Sequence, residues 1–412
     1  MKADLDRLME SQGIDAIVLL AAENPDPYRA YLANGAEFSG LTIKKRGDAP
    51  VLIANGMEMD EAAKSGLKVY NNEDFGLSDL MREYGREQDL IQRAFFRRIF
   101  EKLGINGKVT VYGVGDVNAA FRTILNLSEG LTDIVEFVPA EVRNSIFDQA
   151  YETKDEQEIR WLREAAKGTS AAMRAARDWI ASHRAQDGIV VQEDGSPLTI
   201  GDVKKYVRVR LFELGLEDPK GMIFAQGRDS GMPHSTGANS DPLRLGQTIV
   251  FDLYPRLQGS YFHDTTRTWA IGYATPEAQA AYDAVMEAYR RSAAMCKPGL
   301  STRAAQVMVC EYFESLGYKT VLNSPGTQEG YVHSLAHGLG LNVHEAPYFP
   351  TFTDTHTMQV GNVFTLEPGL YYPEKGFGVR IEDTVYLNEQ GEIEVLTDIP
   401  YDLVIELKDS NS

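Results

Sequence analysis

The chain has 412 residues, 43% hydrophobic and 25% charged, a balance that excludes a disordered or fibrous protein and suggests two or three domains with sizeable cores. Its 60 acidic against 41 basic side chains leave a net charge of −19, which opposes binding to nucleic acid and to anionic membrane surfaces. Two cysteines, Cys296 and Cys310, are too few for a secreted disulfide scaffold or a cysteine-rich zinc site and point to a reducing cytoplasm.

The opening MKADLDRLMESQG is acidic and lacks the basic stretch and apolar core of a signal peptide. The apolar run 14–22 falls short of the roughly 18 residues that span a bilayer. Neither export nor a membrane span is expected. DAIVLL (15–20), PVLIA (50–54), a helical EQDLIQRAFFRRIFEKLG (87–104) and KVTVYGV (108–114) then alternate as an α/β layer. A long helix is predicted over about 154–184, where Ile159, Leu162, Ala166, Ala172, Met173, Ala176, Trp179 and Ile180 recur at helical spacing. The domain boundary is placed just before it, giving domains 1–153 and 154–412. The second domain reads as α+β: a helix at 199–216, a hairpin at 247–271, helices at 275–295 and 301–317, and Gly-punctuated strands at 360–387.

Some familiar signatures are missing. YGVGDVNAAF (112–121) joins a strand to a helix through Gly113 and Gly115, but Asn118 stands where a dinucleotide-binding loop needs its third glycine. There is no G-x-S-x-G elbow and no phosphate loop. Both cysteines lie in helical, partly apolar segments, which favours buried thiols over a nucleophile.

Six of the seven histidines lie at or beyond residue 234, which concentrates the polar chemistry in the second domain. In TIVFDLYPRLQGSYFHDTTRTWAIG (248–272), a hairpin centred on Gln258 would put Asp252 directly opposite Asp264. Two facing carboxylates repel unless a cation lies between them. A metal ion satisfies them economically, and a bulge or Arg267 remains an alternative. YVHSLAHGLGLNVHEAP (331–347) brings His333, His337 and His344 within twelve positions around two glycines. In NVFTLEPGLYYPEKGFGVRIEDTVYL (362–387), Glu367 ends an apolar run and Arg380, Glu382 and Thr384 share a strand face. A carboxylate in such a strand costs several kcal/mol unless it is paired or bound to metal; for Glu382 a pair with Arg380 on a solvated face is the other reading. Four carboxylates would neutralise two divalent cations. Such an oxygen-rich set with one imidazole suits Mn²⁺, Fe²⁺, Co²⁺ or Zn²⁺, and a pair of metals would activate a bridging water.

FDLYPRLQGSYFHDTTRTW, HSLAHGLG, VHEAP, TLEPGLYY and GVRIEDTV together closely resemble the creatinase, aminopeptidase P and prolidase metallopeptidases of the pita-bread fold, over about residues 155–405. The N-terminal segment is similar, less closely, to the family's smaller α/β domain. The resemblance implies that Asp252, Asp264, His337, Glu367 and Glu382 hold two divalent metals, manganese foremost, with Asp264 and Glu382 bridging. It implies that Glu367 shuttles the proton while His344 and His234 assist proton transfer and stabilise the intermediate. His333, Tyr371 and Arg380 would line the proline pocket. The implied activity is cleavage between an N-terminal residue and a following proline by a cytoplasmic homodimer. An Xaa-Pro aminopeptidase is placed first, a prolidase restricted to dipeptides second and a non-catalytic binding protein third. The Asp-to-Asp interval of twelve is one longer than the family's usual hairpin, and Ser334 and Ala336 stand where it often has glycine.

Overall fold

The computed structural model describes residues 4–20, 26–141, 144–354 and 356–408; the first three residues of the acidic start and the end of the apolar run at 21–22 lie outside them. The chain separates into two compact units, Met1–Tyr151 and Glu152–Ser412.

In chain order the first unit contains α1 (Leu5–Ser11), β1 (Ala16–Leu19), α2 (Pro27–Leu32), β2 (Gly40–Lys45), β3 (Val51–Ala54), α3 (Met59–Ala63), β4 (Lys68–Asn71), α4 (Leu77–Tyr84), α5 (Gln88–Leu103), β5 (Gly107–Tyr112), α6 (Val117–Gly130), β6 (Val135–Phe137) and α7 (Ile146–Tyr151). Its strands form one mixed sheet in the order β4-β3-β2-β1-β5-β6, parallel at β3/β4, β1/β5 and β5/β6. Phe95, Phe96, Ile99 and Phe100 recur on one face of α5 and close the core against Val18, Ile53 and Val109.

The second unit begins with α8 (Glu156–Ala181), β7 (Arg184–Gln186), β8 (Ile189–Val191), α9 (Ile200–Glu213), β9 (Leu216–Glu217), β10 (Ile223–Gln226), β11 (Thr248–Leu253), β12 (Arg256–Leu257) and β13 (Thr265–Ile271). It continues with α10 (Pro276–Met295), α11 (Thr302–Ser315), β14 (His337–Gly338), β15 (Glu345–Tyr348), β16 (Val363–Leu366), β17 (Gly369–Tyr372), β18 (Phe377–Arg380), β19 (Asp383–Leu387), β20 (Ile393–Val395) and β21 (Val404–Ile405). Each long helix starts on a side-chain cap. Asp155 accepts from the N–H groups of Gln157 and Glu158 while Glu158 answers the Asp155 N–H, and Thr199 with Asp202, Thr275 and Ser301 cap α9, α10 and α11. Such caps contribute about 0.5–2 kcal/mol each.

Two sheets organise this unit. The order β10-β11-β13-β21 packs on α8 and α9 through Met173, Ala176, Val207, Phe251 and Trp269. The order β15-β14-β16-β19-β20 shares a core with α10 and α11 that includes Val285, Val309, Phe313, Phe364 and Val385. The sheets meet where Thr266 and Glu382 pair their backbones, at 3.3 and 3.0 Å. Polar strand ends from both converge at that seam. Among the described residues, no helix is long and apolar enough to cross a membrane.

Candidate metal centre

Asp252 lies near the end of β11 and Asp264 immediately precedes β13, but Thr266 stands opposite Asp252. The directly facing pair expected from the sequence is therefore displaced by two residues. The turn is longer than a three-residue loop: the ladder closes at Leu253 and Thr265, and Arg256–Leu257 turns aside to pair with β9. Because side chains alternate with a period of two, a shift of two keeps both carboxylates on one face. Asp264 becomes the diagonal neighbour of Asp252, and both side chains are buried.

The other donors arrive from the second sheet. Glu382, buried at the end of the β18–β19 connection, accepts from Thr266 Oγ1 at 2.6 Å. Glu367 follows β16 and accepts from Thr365 Oγ1 at 3.1 Å. His337 opens β14, with Nδ1 3.1 Å from its neighbour's Gly338 carbonyl, which assigns the ring proton there and turns the bare Nε2 inward. Nε2 lies 3.2 Å from Glu367 Oε1 and 3.8 Å from Asp264 Oδ2. Gly338 permits the bulge that follows, since a Cβ there would collide with the Ala346 carbonyl. Asp264, His337 and Glu382 each present one ligand atom within 4.8 Å of the others.

This cluster is short of positive charge. Burial drives the Asp264 carboxyl well above the carboxylate range, and the charges of Glu382, Asp252 and Glu367 push it further. Burial does the same to Glu382, reinforced by Glu367 and Asp252, and pushes Glu367 up to about 8 against the pull of Arg380. His337 is lowered to about 3 by burial and by His344, so it does not supply a proton to balance them. Oδ1 of both Asp252 and Asp264 is buried with no hydrogen-bond partner. Buried carboxylate oxygens left bare beside a neutral imidazole suit a divalent cation, and in donor chemistry the residues fit the metal that the sequence implies.

Arg380 is committed within the cluster. Its guanidinium meets Asp252 Oδ2 at 2.6 Å, donates to the Tyr371 hydroxyl at 2.9 Å and, through Nε, to Thr266 Oγ1 at 3.0 Å. His333 Nδ1 faces the Ser334 carbonyl at 2.7 Å, so its Nε2, 2.8 Å from the Tyr371 hydroxyl, accepts from that hydroxyl. Burial lowers His333 to about 3 and raises Tyr371 to about 12. His344 is exposed at the rim, its ring edge-on to His337 at 4.3 Å. Burial of the ring followed by the Lys220 charge lowers its pKa. His234, also exposed, is close enough for its charge to act on both His333 and His344. The structure thus gathers the ten residues put forward as ligands, catalytic groups or pocket walls about one seam, with His234 and His344 exposed.

Arg267, the alternative partner for the two aspartates, turns to the opposite face and pairs with Asp383 at 2.8 Å. Sequence reading placed Thr384 on the face of Glu382 but gave the threonines no role. Thr266 and Thr365 orient the carboxylates of Glu382 and Glu367, and Thr384 Oγ1 donates to the Asp264 carbonyl at 2.7 Å. Their signal was present: each is a hydroxyl two positions from a carboxylate, where side-chain alternation puts both on one strand face. Outside this centre, Gly113 and Gly115 line a cavity of about 600 Å³ in the first unit with Tyr28, Phe96 and Phe121. There Asp116 caps α6, its own carboxylate accepting from the Ala119 N–H at 2.7 Å and holding the position that a phosphate would take. Both cysteines are buried and unpaired, their thiols raised by burial to about 12 for Cys296 and about 11 for Cys310.

Residues 160–389 match the model of metallopeptidase family M24. The Bacillus subtilis protein YkvY is 30% identical over 87% of this chain and 86% of its own, and the Xaa-Pro dipeptidase of Pyrococcus horikoshii is 26% identical over 93% of each. Among solved structures, an Xaa-Pro dipeptidase from Bacillus anthracis superposes with a TM-score of 0.74 at 24% identity over 98% of both chains. An X-Pro aminopeptidase from Thermotoga maritima gives 0.73 at 23%, covering 98% of this chain and 99% of its own. The α+β architecture is that of the pita-bread fold preceded by a smaller α/β unit.

Proposed function

The chain belongs to metallopeptidase family M24, and we propose that it hydrolyses the bond between an N-terminal residue and a following proline at a dinuclear centre, with Xaa-Pro dipeptides as its substrates. The carrying observation is the buried, cation-deficient set of four carboxylates and one imidazole. The names of the relatives from Pyrococcus horikoshii and Bacillus anthracis weigh for a dipeptidase over the aminopeptidase that sequence reading put first. One observation favours the aminopeptidase: Arg380 is already bound to Asp252, Tyr371 and Thr266, and so is not free to clamp a dipeptide's terminal carboxylate.

In this reading catalysis belongs to residues 154–412, and Asp252, Asp264, His337, Glu367 and Glu382 hold two divalent ions, manganese foremost. When bound, such ions polarise a scissile carbonyl and activate water. Glu367, whose carboxyl is raised to about 8 in the metal-free chain, is the group suited to take and return a proton. His344, at the open rim, stabilises the carbonyl oxygen as it gains charge, and His234 assists departure of the proline nitrogen. His333 and Tyr371, joined by their hydrogen bond, wall the proline ring, while Arg380 keeps Asp252 in place. A cytoplasmic homodimer completes the reading; the unpaired, buried cysteines support the compartment.

The experiment is to measure bound metal after reconstitution with Mn²⁺ and to compare Ala-Pro, Ala-Pro-amide and Ala-Pro-Ala as substrates. About two metals per chain and a preference of roughly tenfold or more for the free dipeptide support the dipeptidase. Equal or better cleavage of the tripeptide turns the reading to an aminopeptidase, and no cleavage of any of the three overturns it. His344→Ala is expected to retain metal and lose about 10² to 10⁴ in turnover; loss of metal as well would make His344 a ligand.

A further inference from the structure

Three buried ionisable side chains of the second unit have no part in the reaction described above: Lys154, Glu158 and Glu345. All are below a tenth exposed, and burial of charge on that scale costs several kcal/mol unless geometry compensates it. Lys154 Nζ meets Glu345 Oε1 at 2.6 Å, with side chains 1% and 4% exposed. The other Glu345 oxygen accepts from the Asn342 N–H at 3.1 Å. Glu345 directly follows His344, and with its carboxylate locked on the buried side His344 is left standing at the rim of the metal centre. Gly340, within the same loop, makes room for the pair: a Cβ there would lie 2.8 Å from Lys154 Cε.

One turn further along, at the start of α8, Glu158 accepts from the Tyr261 hydroxyl at 2.6 Å, and Trp161 stacks on the Tyr261 ring at 5.4 Å. Tyr261 belongs to the loop that leads into Asp264. The two loops are themselves tied, Phe262 N–H donating to the Gly340 carbonyl at 2.7 Å. Lys154 therefore grips the loop of His344, Glu158 grips the loop of Asp264, and both lie within five residues of chain.

We infer that Lys154 and Glu158 are positioning residues that hold the His344 loop and the Asp264 hairpin at a set spacing across the metal centre. The inference rests on the proposed peptidase reading. Neither side chain touches substrate; each acts through its partner. Displacements of about 1 Å in a reacting constellation lower turnover by on the order of 100-fold, so the effect falls on kcat more than on substrate binding.

The test uses the full chain loaded with Mn²⁺ and Ala-Pro as substrate, with Tyr261→Phe, Lys154→Met, Lys154→Arg and the neutral double variant Lys154→Met with Glu345→Gln. Metal content and thermal midpoint are read beside kcat and KM. Lys154→Met and the double variant should keep wild-type metal and lose on the order of 10- to 100-fold in kcat, with KM moving less than about threefold. Lys154→Arg should recover most of the loss, and Tyr261→Phe should lose several-fold. Should Lys154→Met not fold, the double variant and Tyr261→Phe carry the test: the double variant removes both charges of the Lys154–Glu345 pair, and Tyr261→Phe leaves Glu158 the Asp155 N–H from which it also accepts. Metal-loaded variants with wild-type kcat and a lower thermal midpoint overturn the inference, because that is the signature of a purely structural role. Inactivity of the wild type on Ala-Pro counts against the proposed function; equal turnover by wild type and variants counts against the positioning role alone.

Discussion

Glu382 and Asp383 are consecutive carboxylates, both buried, and they face opposite ways. Asp383 looks toward Arg267, which it meets at 2.8 Å, while the Tyr401 hydroxyl donates to its other oxygen. Arg267 also donates to the carbonyls of Ile399 and Glu382 and lies over the Tyr401 ring at 4.3 Å. Every charge on that side has an opposite charge or a dipole beside it. Glu382 looks into the seam, where it joins Asp252, Asp264 and Glu367 against the Arg380 guanidinium. One side is a closed electrostatic circuit that serves the fold, and the other gathers more carboxylates than its one guanidinium offsets. Both are buried carboxylates, so burial does not tell them apart; the local balance of charge does.

The largest expected effect separates the two sides at once. Asp264→Asn should reduce bound metal and hydrolysis to background, whereas Asp383→Asn should retain metal in the folded protein, both read by elemental analysis and an Ala-Pro assay. Metal loss from Asp383→Asn would erase the distinction.

Stability should then move in opposite directions in the metal-free chain. Asp383→Asn leaves Arg267 buried without its counter-ion and should cost about 3–5 kcal/mol in urea unfolding. Glu382→Gln removes one of four mutually repelling carboxylates while its amide oxygen can still accept from Thr266, so the metal-free protein should become more stable.

pH sharpens the same contrast. Glu367 has a folded-state pKa of about 8 against about 4.3 when unfolded. The folded metal-free chain therefore holds the proton more tightly, and the stability this confers is complete below about 4.3 and lost as pH rises through about 8. The thermal midpoint of the metal-free chain should climb as pH falls from about 8 to about 6.5, below which His333 and His337, held near 3 when folded, oppose it, and saturating Mn²⁺ should flatten that climb, as calorimetry with and without chelator would show. The smallest effect belongs to Tyr401→Phe, which deletes one hydrogen bond to a charged group and should cost about 1.5–3 kcal/mol with no change in metal content.

Several elements were legible before any coordinates. The apolar recurrence from Ile159 to Ile180 defines α8, and the run VFTLEPG yields β16 with Glu367 at its exit. The same local patterns carried the candidate site, since Asp252, Asp264, His337, Glu367 and Glu382 each sit in a recognisable segment. The strands β2, β4 and β6 were not read, because runs of three to six residues of mixed polar and apolar character become strands only when a neighbour supplies their hydrogen bonds.

By itself, the sequence determined where the long helices α5 and α8 to α11 would lie and which side chains could ligate a metal, because those properties repeat or are spelled out over a few positions of the chain. The tertiary structure decided the two-residue displacement of the hairpin ladder, the commitment of Arg380 to Asp252 across 128 positions and of Arg267 to Asp383 across 116, and the burial of Lys154 against Glu345 across 191. Each depends on which distant charge arrives at a carboxylate in a low-dielectric interior, and only the packing of the two sheets brings those charges together.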